Sequence, residues 1–301
     1  MSNKLEYFTK LNKAHPDEAV LKGTLIYEVI AGSRAYGCNR PDSDYDIYGI
    51  CIPPLATVFP HLGGVIHGFS VNPYEFSHYE QADIFNEAGE QYSFSIFNIV
   101  RAFDLLLGCN PNIIEILFCP HVNVTHITKA GLLIRDNRKL FLSKLYINKM
   151  RAYASSQMKR ARNFDPKGKR KDLVEKFGFD TKSAQNLIRL TYQAEQVLLE
   201  KDLDLQRNAK TLLDIRNGLW SLEKIEELFN SKHAEIEKLV LTSDLQAKPD
   251  ESKIKSLLLE CLEIQYGKIS KEIVVNSEDA GLLKTIHEMT AKYAGDKHVS
   301  S

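Results

Sequence analysis

The stretch from Gly32 to Pro53, GSRAYGCNRPDSDYDIYGICIP, constrains this chain more than any other. An apolar, β-branched run leads into it (Thr24, Leu25, Ile26, Tyr27, Val29, Ile30), and Gly32-Ser33 ends that run. The pattern predicts a strand, a sharp turn and a helix opening at Arg34-Ala35-Tyr36, with Ser33 placed to cap it. Turn-rich Cys38 to Ser43 follows, then Asp44-Tyr45-Asp46 and a second apolar run, Ile47 to Ile52, stopped by Pro53-Pro54. Residues two apart in a strand share a face, so Asp44 and Asp46 present two carboxylates side by side at a strand edge.

Neighbouring carboxylates repel and raise each other's pKa unless a cation sits between them. A hard divalent cation suits such oxygen ligands, and Mg²⁺ typically divides its shell between one or two carboxylates and substrate phosphates; Mn²⁺ is the alternative. Gly32 lets the backbone approach a ligand closely, and free N–H groups at a helix start attract phosphate. A phosphate cradle facing a metal-binding Asp-x-Asp is the apparatus of phosphoryl or nucleotidyl transfer. Singly, Gly-Ser is an ordinary turn and Asp-x-Asp an ordinary strand end or Asx turn. Their order along the chain is what points to chemistry.

That stretch resembles the active-site signature of the DNA polymerase β-like nucleotidyltransferase superfamily. More narrowly, GSRAYG…PDSDYDIYGI…P resembles its branch associated with RNA repair, which has members carried by bacteriophages. Three further segments share the resemblance: NPNIIEILFCP from Asn110 to Pro120, FGFDTKSAQNLIRL from Phe177 to Leu190, and LLDIRNGLWSL from Leu212 to Leu222. The resemblance implies an α+β fold: a nucleotidyltransferase core of a small mixed sheet flanked by helices over residues 1–127, then an all-helical nucleotide- and substrate-binding domain over 128–301. It implies a metal-dependent transfer of an NMP from an NTP, ATP first among them, to an acceptor hydroxyl, with an RNA end as the favoured acceptor. Asp44 and Asp46 then hold Mg²⁺ (or Mn²⁺), and Gly32, Ser33 and Arg34 bind the triphosphate. Lys182, Asn186 and Arg189, spaced four and three along one helix face, reach back to it. Asn186 stands where the family has His, and Phe179 where it has Tyr. The family's third carboxylate lies on a strand matching Gln91 to Phe97, where Glu90 precedes the strand and Ser93 occupies one alignment of the acidic position. Glu90 is the candidate third ligand or general base.

Lys plus Arg (39) balance Asp plus Glu (39) over 301 residues, so no net field demands nucleic acid or membrane. The distribution is less even: Lys159, Arg160, Arg162, Lys167, Lys169, Arg170 and Lys171 form a basic run suited to RNA or triphosphate, or to a solvated loop. Five scattered cysteines without metal-type spacing suggest reduced thiols and no disulfide partners, and with no signal-like or membrane-length run the expected compartment is cytoplasmic, the host's if phage-encoded. Between Leu55 and Gly89 no His pair has helical or hairpin metal spacing, so no zinc site is expected there.

The remaining pattern predicts a short leading helix through Leu5, Phe8 and Leu11, a strand over Phe69 to Phe76, and a strand over Gln91 to Phe97. It predicts helices over 96–107 and 110–120, and an almost wholly helical chain after Thr128. Three other readings stay open: transfer to a protein or small molecule, a non-catalytic nucleotide- or RNA-binding module, and a kinase- or phosphatase-like use of Asp-x-Asp. The last lacks any Gly-x-x-x-x-Gly-Lys pattern.

Overall fold

The second apolar run becomes the central strand of a five-stranded sheet. In the computed structural model, which describes residues 3–58, 76–163 and 170–267, the strands are β1 (Thr24–Ile30), β2 (Tyr45–Ile52), β3 (His78–Phe85), β4 (Gln91–Asn98) and β5 (Val124–Ile127). Their order is β3-β4-β2-β1-β5, with β2 and β4 parallel and every other pair antiparallel. β3 was not legible in the sequence, because five of its eight residues (His78, Glu80, Ala82, Asp83, Phe85) face water and its apolar alternation is broken. β5 is short and lies at an edge, so it too lacked a period-two signal. The strand expected over Phe69 to Phe76 lies, but for Phe76, outside the described residues.

Thirteen helices flank and follow the sheet among the described residues. In the first half these are α1 (Lys4–Lys10), α2 (Glu18–Leu21), α3 (Gly32–Ala35), α4 (Leu55–Val58), α5 (Ile99–Leu107) and α6 (Pro111–Phe118). The second half contributes α7 (Lys129–Asp136), α8 (Lys144–Ala161), α9 (Lys171–Phe177), α10 (Thr181–Glu200), α11 (Ala209–Arg216), α12 (Leu222–Thr242) and α13 (Glu251–Tyr266). Ile96, expected to begin a helix, belongs to β4; Asn98 stops the strand and caps α5 by accepting from the Val100 N–H. The chain is thus an α+β protein, a mixed sheet with flanking helices followed by C-terminal helices.

The two sheet faces have different partners, and this decides the site. Ile47 and Cys51 on β2 and Tyr92, Phe94 and Ile96 on β4 pack beneath α1 and α2 with Leu5, Phe8 and Val20. Tyr27, Ile50 and Ile52 join a second core that runs through α5, α6 and α7 into the helical half, including Met150, Leu187, Ile188, Leu212, Ile225 and Leu257. Buried Glu28 on β1 has its hydrogen bonds supplied locally: its carboxylate accepts from the Lys4 and Leu5 amides at the start of α1 and from Thr125 Oγ1. α10 is the axis of the helical half. Its Leu187, Ile188, Leu190 and Val197 are fully enclosed. At about 1.5–3 kcal/mol for each such side chain, packing rather than helix propensity holds it in place. No described helix is long and apolar enough to cross a membrane.

Candidate active site

The site forms where β1 runs into α3 and β2 begins beside it. Gly32 has φ +62°, and a Cβ there would lie 2.1 Å from Asp46 Oδ2. Glycine is therefore required twice, by its backbone angle and by the carboxylate lying over it. Ser33, expected as a cap, is instead the second residue of α3, whose cap residue is Ala31. The Ala31 N–H donates to the Asp46 carbonyl, which sews the turn to the start of β2.

Asp44 directly precedes β2, and Asp46 is its second residue. Asp46 pairs in register with Ser93 of β4, and Ser93 Oγ donates to Asp46 Oδ1 at 3.0 Å. Burial, and then the charge of Asp44, raise the Asp46 pKa, opposed by the Ser93 hydrogen bond and the charge of Lys182. The fold thus brings together Gly32, Asp44, Asp46, Ser93 and Lys182 from three separate parts of the chain. Asp180 caps α10 by accepting from the Lys182 and Ser183 amides, which sets exposed Lys182 in the first turn. Asn186, one turn further on, is half-exposed.

Glu90 does not join them. Its carboxylate accepts from Tyr45 Oη (3.1 Å) and from Asn86 Nδ2 (2.6 Å). Tyr45 stacks on Tyr92, with ring centroids 4.5 Å apart, on the sheet face that carries α1. Asp46 and Ser93 point to the other face, since neighbouring strand residues alternate. Of Glu90 and Ser93, only Ser93 lies beside Asp46, and no group of three or more His, Cys, Asp or Glu suited to a metal occurs among the described residues.

Two of the expected phosphate-binding arginines are engaged elsewhere. Arg34 Nη2 donates to the Ser43 carbonyl at 2.8 Å and its guanidinium lies 3.5 Å from the Tyr45 ring centroid, so it holds the loop that delivers Asp44. Arg189 is buried, and its Nη1 donates to Glu115 Oε1 at 2.5 Å and to Gln193 Oε1 at 3.0 Å. Burial opposes its charge, but Glu115 and Tyr36 hold the Arg189 pKa above its ordinary value. The same Glu115 accepts from Tyr36 Oη, and Arg189 lies over the Tyr36 ring. Arg189 thus ties α10 to α6 and to the Gly-Ser turn from beneath. Glu115 sits among the buried apolar residues of α6, and nothing in the sequence pattern assigns that carboxylate a role.

Above this buried network lies a cavity of about 150 Å³ lined by Gly32, Tyr36, Asp46, Tyr48, Asn112 and Glu115. It opens beside the carboxylate pair and combines two aromatic rings with amide and carboxylate groups. The donor set of Asp44 and Asp46 is all oxygen, and charge repulsion within it favours a cation; it fits a Mg²⁺ or Mn²⁺ whose remaining ligands come from phosphate and water.

A comparison with curated proteins finds no match. Among solved structures the chain is similar to a nucleotidyltransferase-like protein from Exiguobacterium sibiricum, at 10% identity over 86% of this chain and 78% of that one, with a TM-score of 0.26, a likeness too slight to argue from. The model of the RNA repair pathway DNA polymerase beta family matches residues 2–260. With a match of that extent, and a Gly-Ser turn lying against an Asp-x-Asp strand, the chain belongs to the RNA repair pathway DNA polymerase beta family and is a nucleotidyltransferase.

Proposed function

We propose that this enzyme transfers an NMP from an NTP, ATP first among them, to a hydroxyl at an RNA end. One observation carries the reading: the Asp46 carboxylate lies against the Gly32 backbone, beside Asp44 and within reach of the Lys182 charge. A triphosphate at the turn would meet two metal-binding carboxylates and a cation together. The family's association with RNA repair supports the acceptor, and the exposed Lys159 and Arg160 of α8 add positive charge on the helical side.

In this reading residues 1–127 are the catalytic domain and 128–301 the substrate-binding one. Asp44 and Asp46 hold Mg²⁺ (or Mn²⁺), which supplies positive charge where negative charge develops on the phosphates. Gly32 and Ser33 offer backbone N–H groups to the β- and γ-phosphates. Lys182 neutralises the same oxygens, Asn186 lies one turn behind it, and Ser93 fixes the Asp46 rotamer. The acceptor oxygen bonds to the α-phosphorus as the bond to the α–β bridging oxygen breaks, and pyrophosphate leaves with that electron pair. The hydroxyl proton passes to water, because Glu90 faces away. Arg34 and Arg189 position the loop and the turn.

The test pairs each α-phosphate-labelled NTP with an RNA pool in Mg²⁺, using wild type and the Asp44→Ala/Asp46→Ala double variant. Label on RNA with wild type alone is expected. Label on protein, or on neither, overturns the RNA acceptor.

A further inference from the structure

Three arginines converge beside the catalytic loop without a role in the mechanism above. The loop that follows α3 is pressed against the helical half: Cys38 Sγ accepts from Gln185 Nε2 of α10 at 2.7 Å, and a Cβ on Gly37 would lie 3.2 Å from Ala209 Cβ of α11. Arg40 sits in this loop, held by both oxygens of Asp42 at 3.1 and 2.8 Å. Arg170, just before α9, reaches the start of α10, where it donates to Asp180 and, at 2.8 Å, to Ser183 Oγ. Arg216, in the last turn of α11, is close enough to feel the charges of both.

Arg216 differs from its neighbours in having no acceptor. No hydrogen bond or ion pair to it exists among the described residues, and its Nη1 is buried without a partner. Burial lowers its pKa, and the charges of Arg40 and Arg170 lower it further, against Asp180 and Asp42. A cation at a helix C-terminus is favourable on its own account, which explains a charge there. It does not explain a buried donor with nothing to donate to, placed among like charges, an arrangement that stabilises only when an anion completes it.

We propose that Arg216, flanked by Arg40 and Arg170, binds a phosphate group of a substrate at the junction of the catalytic loop with α10 and α11. The inference rests on the nucleotidyl-transfer reading, which supplies two phosphate-bearing substrates, the NTP tail and the RNA backbone. A planar guanidinium with free donors matches phosphate oxygens in a way a lysine does not. Lys182 stands two residues from Asp180, so this site and the carboxylate pair share the start of α10 and bracket one path for phosphates.

The test measures binding of two probes without Mg²⁺, inorganic tripolyphosphate and a short oligoribonucleotide, to wild type, Arg216→Gln and Arg40→Gln. Arg216→Gln is expected to weaken one probe about tenfold or more with little change in melting temperature. Weakened tripolyphosphate assigns the site to the NTP tail. A weakened oligoribonucleotide, with its log–log salt slope reduced by about one, assigns it to the RNA backbone. If Arg216→Gln does not fold, Arg40→Gln, altered at a half-exposed side chain, decides by the same criterion. Unchanged binding of both probes by the folded variants, or no binding of either by wild type, overturns the inference. Label transfer by wild type is measured separately in Mg²⁺, so its failure removes the nucleotidyl-transfer reading while the binding comparison still decides the phosphate site.

Discussion

Replacing Gly32 with alanine separates the two demands made on that residue. A side chain at φ +62° costs roughly 1–2 kcal/mol in backbone strain. Against a stability of about 5–15 kcal/mol for an ordinary domain, this leaves the protein folded. The new methyl would also lie 2.1 Å from Asp46 Oδ2 and 3.1 Å from Asp46 Cγ, where contacts below 3.0 Å essentially never occur. Asp46 must therefore retreat by about 1 Å, and a misplacement of that size at a reacting centre costs on the order of 100-fold in rate, close to 3 kcal/mol of barrier. Gly89→Ala is the control. It has φ +78° in the turn between β3 and β4, and its added methyl would have no atom within 4 Å, so it carries strain without a clash. Label transfer and thermal denaturation on both variants complete the assay. Gly32→Ala should lose a few degrees in melting temperature and nearly all transfer, and Gly89→Ala only the former. A folded Gly32→Ala enzyme that retains most of its rate would refute the close approach as the reason for the glycine.

Other outcomes follow from the same geometry. Asp46→Asn should abolish transfer yet melt higher than wild type in EDTA, since burial and Asp44 both penalise the charge it removes; a lower melting temperature would contradict this. Lys182→Ala, at an exposed position, should raise KM for the NTP roughly tenfold and leave thermal stability unchanged. Arg189→Met should cost about 3–5 kcal/mol in chemical denaturation, because it strands Glu115, whereas Arg189→Met/Glu115→Leu should recover most of the loss. If the double variant is no more stable than the single one, the pair is not the unit that holds α10 to α6.

What the sequence determined by itself was local. Apolar runs marked β1 and β2, a period-two run marked β4, and turn chemistry marked the Gly-Ser bend, because each signal lies within a few residues of its cause. The Gly-Ser and Asp-x-Asp elements could be read as one site for the same reason, being joined by a short loop. Tertiary structure decided who stands opposite whom. Ser93 lies 47 residues from Asp46 and becomes its partner only through the parallel register of β4. Glu90, three residues earlier, is turned to the α1 face and bound to Tyr45, which strand spacing around it could not reveal before the register was set. Arg189 shares a helix face with Lys182, yet one side chain is exposed and the other buried against Glu115, since depth depends on what packs above the helix. Arg216 is the same case in reverse: a residue in a helical pattern acquires an unmet donor only when α9, α10 and the catalytic loop close around it. Periodicity reports which residues share a face, and only the assembled layers determine what that face meets.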